Sequence, residues 1–209
     1  MSETAGKVAR IKEAMVTLVG RQGYEATSLE QIYAEAGVSP EDFSRHFAGK
    51  QDCLEQVWER MTVDYICTCK GAYMAEDSWR DGLRAAGYAA LEWLFAAEAR
   101  TRFFLIEVMA GGEMVRAYRD VMMDEFIEML DGGRRAAANP AAFTRGTAEG
   151  LTGAVYESAI ASIKAREGLA ESQQRVKSVM HVIVLTYLGP EAAEEELAIP
   201  APGELSSRP

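Results

Sequence analysis

Apolar residues along most of this chain recur at spacings of three and four, and nowhere do they alternate with polar ones in the two-residue rhythm of a strand. The pattern predicts an all-α protein. A first helix is expected over residues 4–21, with Val8, Ile11, Met15, Leu18 and Val19 on one face and Gly23 just beyond its end. Short helices follow over 28–36 and 39–47. Lys50 then opens a long helix to Met74, and further helices are expected near 79–96, 99–110, 113–131, 140–167 and 172–188. From Pro190 onward prolines and acids dominate with few apolar anchors, so residues 190–209 are predicted to form a poorly ordered acidic tail.

The short helices are bounded by unusually strong signals. Ser28 is followed three residues later by Gln31, the spacing of a capping box. The helix it opens meets Gly37, a residue that adopts positive φ freely. Val38 turns inward, Ser39 is placed to cap the next helix, and Pro40 occupies its first position, where a missing N–H costs nothing. Helix, glycine turn, helix is the helix-turn-helix arrangement, in which the second helix enters the major groove of double-stranded DNA.

The segment GYEATSLEQIYAEAGVSPEDFSRHFAGKQDCL resembles the DNA-binding part of the TetR family of bacterial transcription regulators. Gly23-Tyr24, Thr27-Ser28, Ile32, Ala36 to Ser39, Phe43, His46-Phe47 and Lys50 carry the likeness. WRDGLRAA, RFFLIEVMAGGEMVRAYRD and TYLGPEAA are similar to the sensor region of an actinobacterial-style branch. The resemblance implies a three-helix DNA-binding module over residues 1–49, with a larger helical ligand-binding and dimerisation domain over 50–189. It also implies that Thr27, Ser28, His46 and Lys50 meet phosphates, while Ser39, Pro40, Glu41, Asp42, Ser44 and Arg45 present the reading surface. His46 is equally placed to pack the end of the recognition helix.

Three positions depart from the family's pattern. Glu41-Asp42 replaces a Gly-Thr type pair, Ser44 stands for a common Tyr, and Tyr33 for a small residue. The two carboxylates can accept from cytosine N4, or act as acids favoured by the positive end of the helix dipole.

Charge narrows how DNA could be held. The net charge is −10, but residues 1–50 carry six Lys/Arg against seven acids, so the module is near neutral and contact must rest on a few placed side chains. Apolar residues at 48% and charged residues at 26% fit a globular protein rather than a disordered chain. No apolar run reaches the roughly 18 residues of a membrane span, and the first residues lack a secretory pattern. A cytoplasmic protein without membrane association is expected. Cys53, Cys67 and Cys69 suit buried small hydrophobes better than a disulfide framework, and with only His46 and His181 for company they do not make a zinc set. No metal or cofactor is expected. No phosphate-cradling loop, HExxH or nucleophile elbow is present, so an enzyme is not expected either.

From Gln51 the aromatics and methionines gather. Trp58, Met61, Tyr65, Tyr88, Trp93, Phe103, Phe104, Glu107, Tyr118, Met122 and Phe126 are the candidate ligand-pocket residues, able either to fill core or to wall a cavity for a small apolar or aromatic effector. Glu107, within an apolar run, either pairs with Arg100, Arg102 or Arg116 or faces that cavity. Leu151, Val155, Ala159, Ile160, Val179, Ile183 and Tyr187 lie on the last two helices, which in TetR-like proteins meet a second copy. The function implied is a ligand-responsive homodimer, a repressor on a near-palindromic operator. The alternative is a dimer that keeps the fold and ligand site but has weak or lost operator binding.

Overall fold

In a computed structural model, residues 3–106 and 112–202 are described, and within them every regular element is helical. The order is α1 (Glu3–Gln22), α2 (Leu29–Ala36), α3 (Pro40–Ser44), α4 (Lys50–Met74), α5 (Trp79–Phe95) and α6 (Glu98–Leu105). These are followed by α7 (Gly112–Ala136), a 3-10 turn (Pro140–Ala142), α8 (Arg145–Lys164), α9 (Leu169–Leu188) and α10 (Pro190–Ala198). Contacts divide the chain into two units, residues 1–64 with 94–121, and residues 65–93 with 122–209. The division cuts through α4, α5 and α7 rather than following the boundary at Lys50.

In the first unit α1 packs against α2 and α6. Ile11, Met15 and Val19, spaced by four, are fully buried, as the sequence periodicity requires. Arg102 Nε donates to the Gly20 carbonyl at 3.0 Å, tying α6 to the end of α1.

In the second unit Leu83, Met129, Leu130, Ala148, Met180, Ile183, Val184, Tyr187 and Ala193 form one core from α5, α7, α8, α9 and α10. Here α7 runs five residues past its expected end at 131. Gly132 and Gly133 continue the helix, and a Cβ on Gly133 would lie 2.5 Å from the Trp79 and Tyr187 rings. The rings pack against the space that a side chain at Gly133 would fill.

The expected disordered tail is also corrected within the described residues. Pro190 takes the first position of α10, and Ala193 and Glu196 on its inner face are buried. Glu196 is held by Arg80 Nε and Arg84 Nε, each at 2.6 Å. Charge that reads as solubilising in the sequence is here a buried anchor. Two other helices are shorter than expected. The third ends at Ser44, and the one expected over 140–167 begins at Arg145 after the 3-10 turn, with Thr144 as its cap.

Candidate nucleic-acid interface and effector site

The helix-turn-helix is built by its caps. Ser28 Oγ accepts from the Gln31 amide at 3.3 Å, while Gln31 Oε1 accepts from the Ser28 amide at 2.8 Å, completing the capping box. Gly37 sits at φ 61°, ψ 49°, the left-handed turn that a side chain would strain. Ser39 Oγ accepts from the Asp42 amide at 3.1 Å and Pro40 opens α3. Phe43 and Phe47 then point inward, with ring centroids 5.2 Å apart, so the outer face is left to other residues.

That outer face is formed by Ser39, Pro40, Glu41, Ser44 and Arg45, all exposed. Ser44 Oγ donates to the Pro40 carbonyl at 2.7 Å, so its hydroxyl is engaged along the helix. Asp42 is different: Lys7 Nζ from α1 and Arg45 Nη1 donate to its two oxygens at 2.9 and 3.0 Å. The Lys7 hydrogen bond is the main reason its carboxyl is held below the ordinary carboxylate range. Asp42 has a role that neither of the two readings open for the acidic pair included, as a strut between α1 and α3. Glu41 stays on the exposed face, its carboxyl held low by its own backbone amide and then by the Ser39 hydroxyl. His46 is half-buried with its ring edge toward Phe47.

Two of the expected phosphate contacts are placed otherwise. Thr27 is 1% exposed and its hydroxyl donates to the Gly23 carbonyl at 2.8 Å, which corrects the expectation that its side chain meets DNA. Lys50 Nζ lies 4.1 Å over the Tyr24 ring and donates to the Tyr24 and Thr27 carbonyls at 3.0 and 2.8 Å. Two of its three N–H groups therefore hold the turn before α2 closed. Lys7, absent from the expected set, carries one of the cross-helix contacts of this surface. Its separation from Asp42 by 35 residues hides the pair from any local pattern.

The candidate pocket residues fall into two groups. In the first unit Trp58, 1% exposed, stacks on Phe104 with centroids 4.6 Å apart and on Phe103 at 6.1 Å. Met61 and Tyr118 are half-buried there. In the second unit Tyr65 packs against Trp93 at 5.0 Å and Phe126 at 5.7 Å, and Tyr88 and Met122 are buried. Glu107 lies outside the described residues. Of the cysteines, Cys53 and Cys69 are buried, and burial pushes both thiols up to about 12, while Cys67 is exposed. No group of three or more metal-ligating side chains occurs among the described residues.

On α8 and α9 an open groove of about 460 Å³ is lined by Leu151, Val155, Val179, Val182 and Ile183, with Glu167, Glu171 and Arg175 at its edge. Val182 and Leu185 stand 50% and 43% exposed, large apolar side chains at positions the sequence reading passed over. Ala159 and Ile160 are half-buried. Tyr187 is not on this face. Its ring is buried in the core against Trp79 and Phe143, which corrects its assignment to the dimer surface.

No helix of the described residues is long and apolar enough to cross a membrane. Residues 11–57 match the family described as bacterial regulatory proteins, tetR family. Among curated proteins none matches the chain. Solved structures do. A regulatory protein in the tetR family from Rhodococcus RHA1 is 16% identical, covering 88% of this chain and 98% of its own with a TM-score of 0.69. The transcriptional regulator FadR from Bacillus subtilis, solved in complex with stearoyl-CoA, is 16% identical over 87% and 98% with a TM-score of 0.71. A gamma-butyrolactone receptor, described as an ArpA-like protein, is 18% identical over 94% and 96% with a TM-score of 0.73. Residues 11–57 of this chain thus match the N-terminal domain of the bacterial tetR-family regulatory proteins, and its helices share the fold of solved regulators of that kind.

Proposed function

We propose that this protein is a homodimeric, ligand-responsive transcriptional repressor that binds a near-palindromic operator and is released by a small, largely apolar or aromatic effector. The observation that carries the reading is the capped α2–Gly37–α3 unit, which turns an exposed face of Ser39, Pro40, Glu41, Ser44 and Arg45 outward from a rigid base. In this reading α3 enters the major groove and Glu41 accepts from cytosine N4, while Ser28, Arg45 and His46 lie beside the phosphates. The exposed apolar groove on α8 and α9 supplies the surface for a second copy. Two copies would present two recognition helices about one DNA turn, or roughly 34–36 Å, apart.

The stearoyl-CoA bound by the Bacillus subtilis FadR, and the receptor function of the gamma-butyrolactone receptor, support an effector of apolar body for this fold. Release is a population shift: an effector against Trp58 bears on the same helix whose first residue, Lys50, holds the turn before α2. The effector must favour the released state by differential affinity. Footprinting on DNA upstream of the protein's own gene, across a series of salt concentrations, tests the reading. A protected near-palindrome is expected. No specific site at any salt concentration would overturn it and leave a ligand-binding dimer without an operator.

A further inference from the structure

Trp58 and Thr62 stand four residues apart on α4, spacing that places them on one helix face. Both are sealed from solvent, at 1% and 2% exposure, and among the described residues neither Trp58 Nε1 nor Thr62 Oγ1 has a hydrogen-bond partner. A buried donor left unmade is costly, so such groups normally find partners. Several comparable buried groups obey that rule, while Asp131 Oδ1 and the Tyr187 hydroxyl are left without a partner among the described residues as well. Trp79 Nε1 donates to the Met129 carbonyl at 2.9 Å. Thr152 donates to the carbonyl four residues earlier at 2.8 Å, and Thr101 donates to the Leu94 carbonyl at 2.5 Å. Thr62 sits mid-helix, where the same back-bond is available, and does not make it.

We propose that Trp58 Nε1 and Thr62 Oγ1 form the polar end of the effector site and donate to a neutral carbonyl oxygen, as in a ketone, ester or lactone, on an otherwise apolar molecule. The inference rests on the effector reading above and sharpens it. An indole N–H only donates, so the ligand atom facing it is an acceptor. Among the described residues no buried side chain is cationic, so a carboxylate there would lack the partner that a desolvated anion needs. Phe103 and Phe104, stacked on the Trp58 ring, provide flat apolar faces for the rest of the molecule.

The test uses the full-length protein with ¹⁵N-labelled indoles and two probes of one shape, 4-phenylbutan-2-one and butylbenzene. Trp58→Phe assigns the Trp58 resonance. The ketone is expected to move that resonance downfield and to bind about fivefold tighter than the hydrocarbon, reversing the order that hydrophobicity alone would give. Thr62→Val keeps the side-chain shape and is expected to cut the ketone's advantage severalfold while leaving butylbenzene affinity and the thermal midpoint nearly unchanged. Equal affinity of both probes, unaltered in Thr62→Val, would overturn the polar assignment and leave an apolar effector site standing. Failure of both probes to perturb Trp58 would show a closed core and overturn both readings.

Discussion

Lys7 Nζ donates to Asp42 Oδ2 at 2.9 Å, so a carboxylate of α3 belongs to a bridge with α1 before it belongs to any DNA surface. Arg45 donates to the other oxygen, and the three side chains fix the roll of α3. Asp42→Asn frees the cations of Lys7 and Arg45 next to the proposed DNA surface while loosening the helix that carries Glu41. Nonspecific DNA affinity is expected to rise and the ratio of operator to nonspecific affinity to fall, by about threefold to tenfold. Fluorescence anisotropy on operator and scrambled duplexes measures both. A ratio that stays constant or improves would mean that Asp42 only repels phosphate.

Lys50 tests the difference between a phosphate contact and an internal cap. Its ammonium satisfies the Tyr24 and Thr27 carbonyls, so Lys50→Ala removes charged hydrogen bonds and is expected to cost about 1–2 kcal/mol of stability. Operator affinity should fall because α2 loses its footing. The slope of log affinity against log salt should change little, since a counterion-releasing phosphate contact would reduce it by about 0.9. Parallel thermal melts and salt titrations decide, and a shallower slope at unchanged stability would return Lys50 to the phosphates.

The α8–α9 groove predicts its own disruption. Val182 is half exposed on the groove wall and does not belong to the core, so Val182→Glu should leave the monomer folded. Burying that carboxylate against a second copy is unfavourable without a partner. Light scattering is expected to show a monomer with unchanged helical circular dichroism, and operator affinity should drop to that of a half-site. A persistent dimer would place the interface elsewhere.

Local chemistry made the helix-turn-helix module legible. The Ser28 and Ser39 caps and the Gly37 turn each depend on residues within a few positions, and each is found as expected. What the sequence did not disclose depends on distance along the chain. Lys7 with Asp42, Lys50 with the carbonyls of Tyr24 and Thr27, and Arg80 and Arg84 with Glu196 are pairs that only the tertiary fold creates. Helical periodicity placed Ile183 and Tyr187 correctly on α9 but could not say which side of that helix meets its own chain. Gly133 lies past the expected end of α7 at 131, and the helix runs through it where Trp79 and Tyr187 fill the space a side chain would take.

The α10 anchor gives the protein an acid-sensitive element. Burial works to raise the pKa of Glu196, but hydrogen bonds and charge from Arg84 and Arg80 outweigh it and hold the carboxyl below its ordinary value. For a depressed carboxylate the stabilisation is complete above the unfolded-state pKa of roughly 4.3 and is lost as pH falls through the folded value below it. The docking of α10 should therefore be insensitive to pH from neutrality down to about 5 and fail below the normal carboxylate range. Glu196→Gln removes the charge while leaving both guanidiniums in place. The expected cost is about 2 kcal/mol, less than the roughly 3–5 of a fully buried pair broken on one side, because Arg84 keeps Asp81 and both arginines retain some contact with water. Hydrogen exchange should show α10 amides protected in the parent and released in the variant at pH 7, with the parent reaching the variant's behaviour only in acid. If α10 stays protected in Glu196→Gln, apolar burial of Ala193 holds the helix and the ion pairs are incidental.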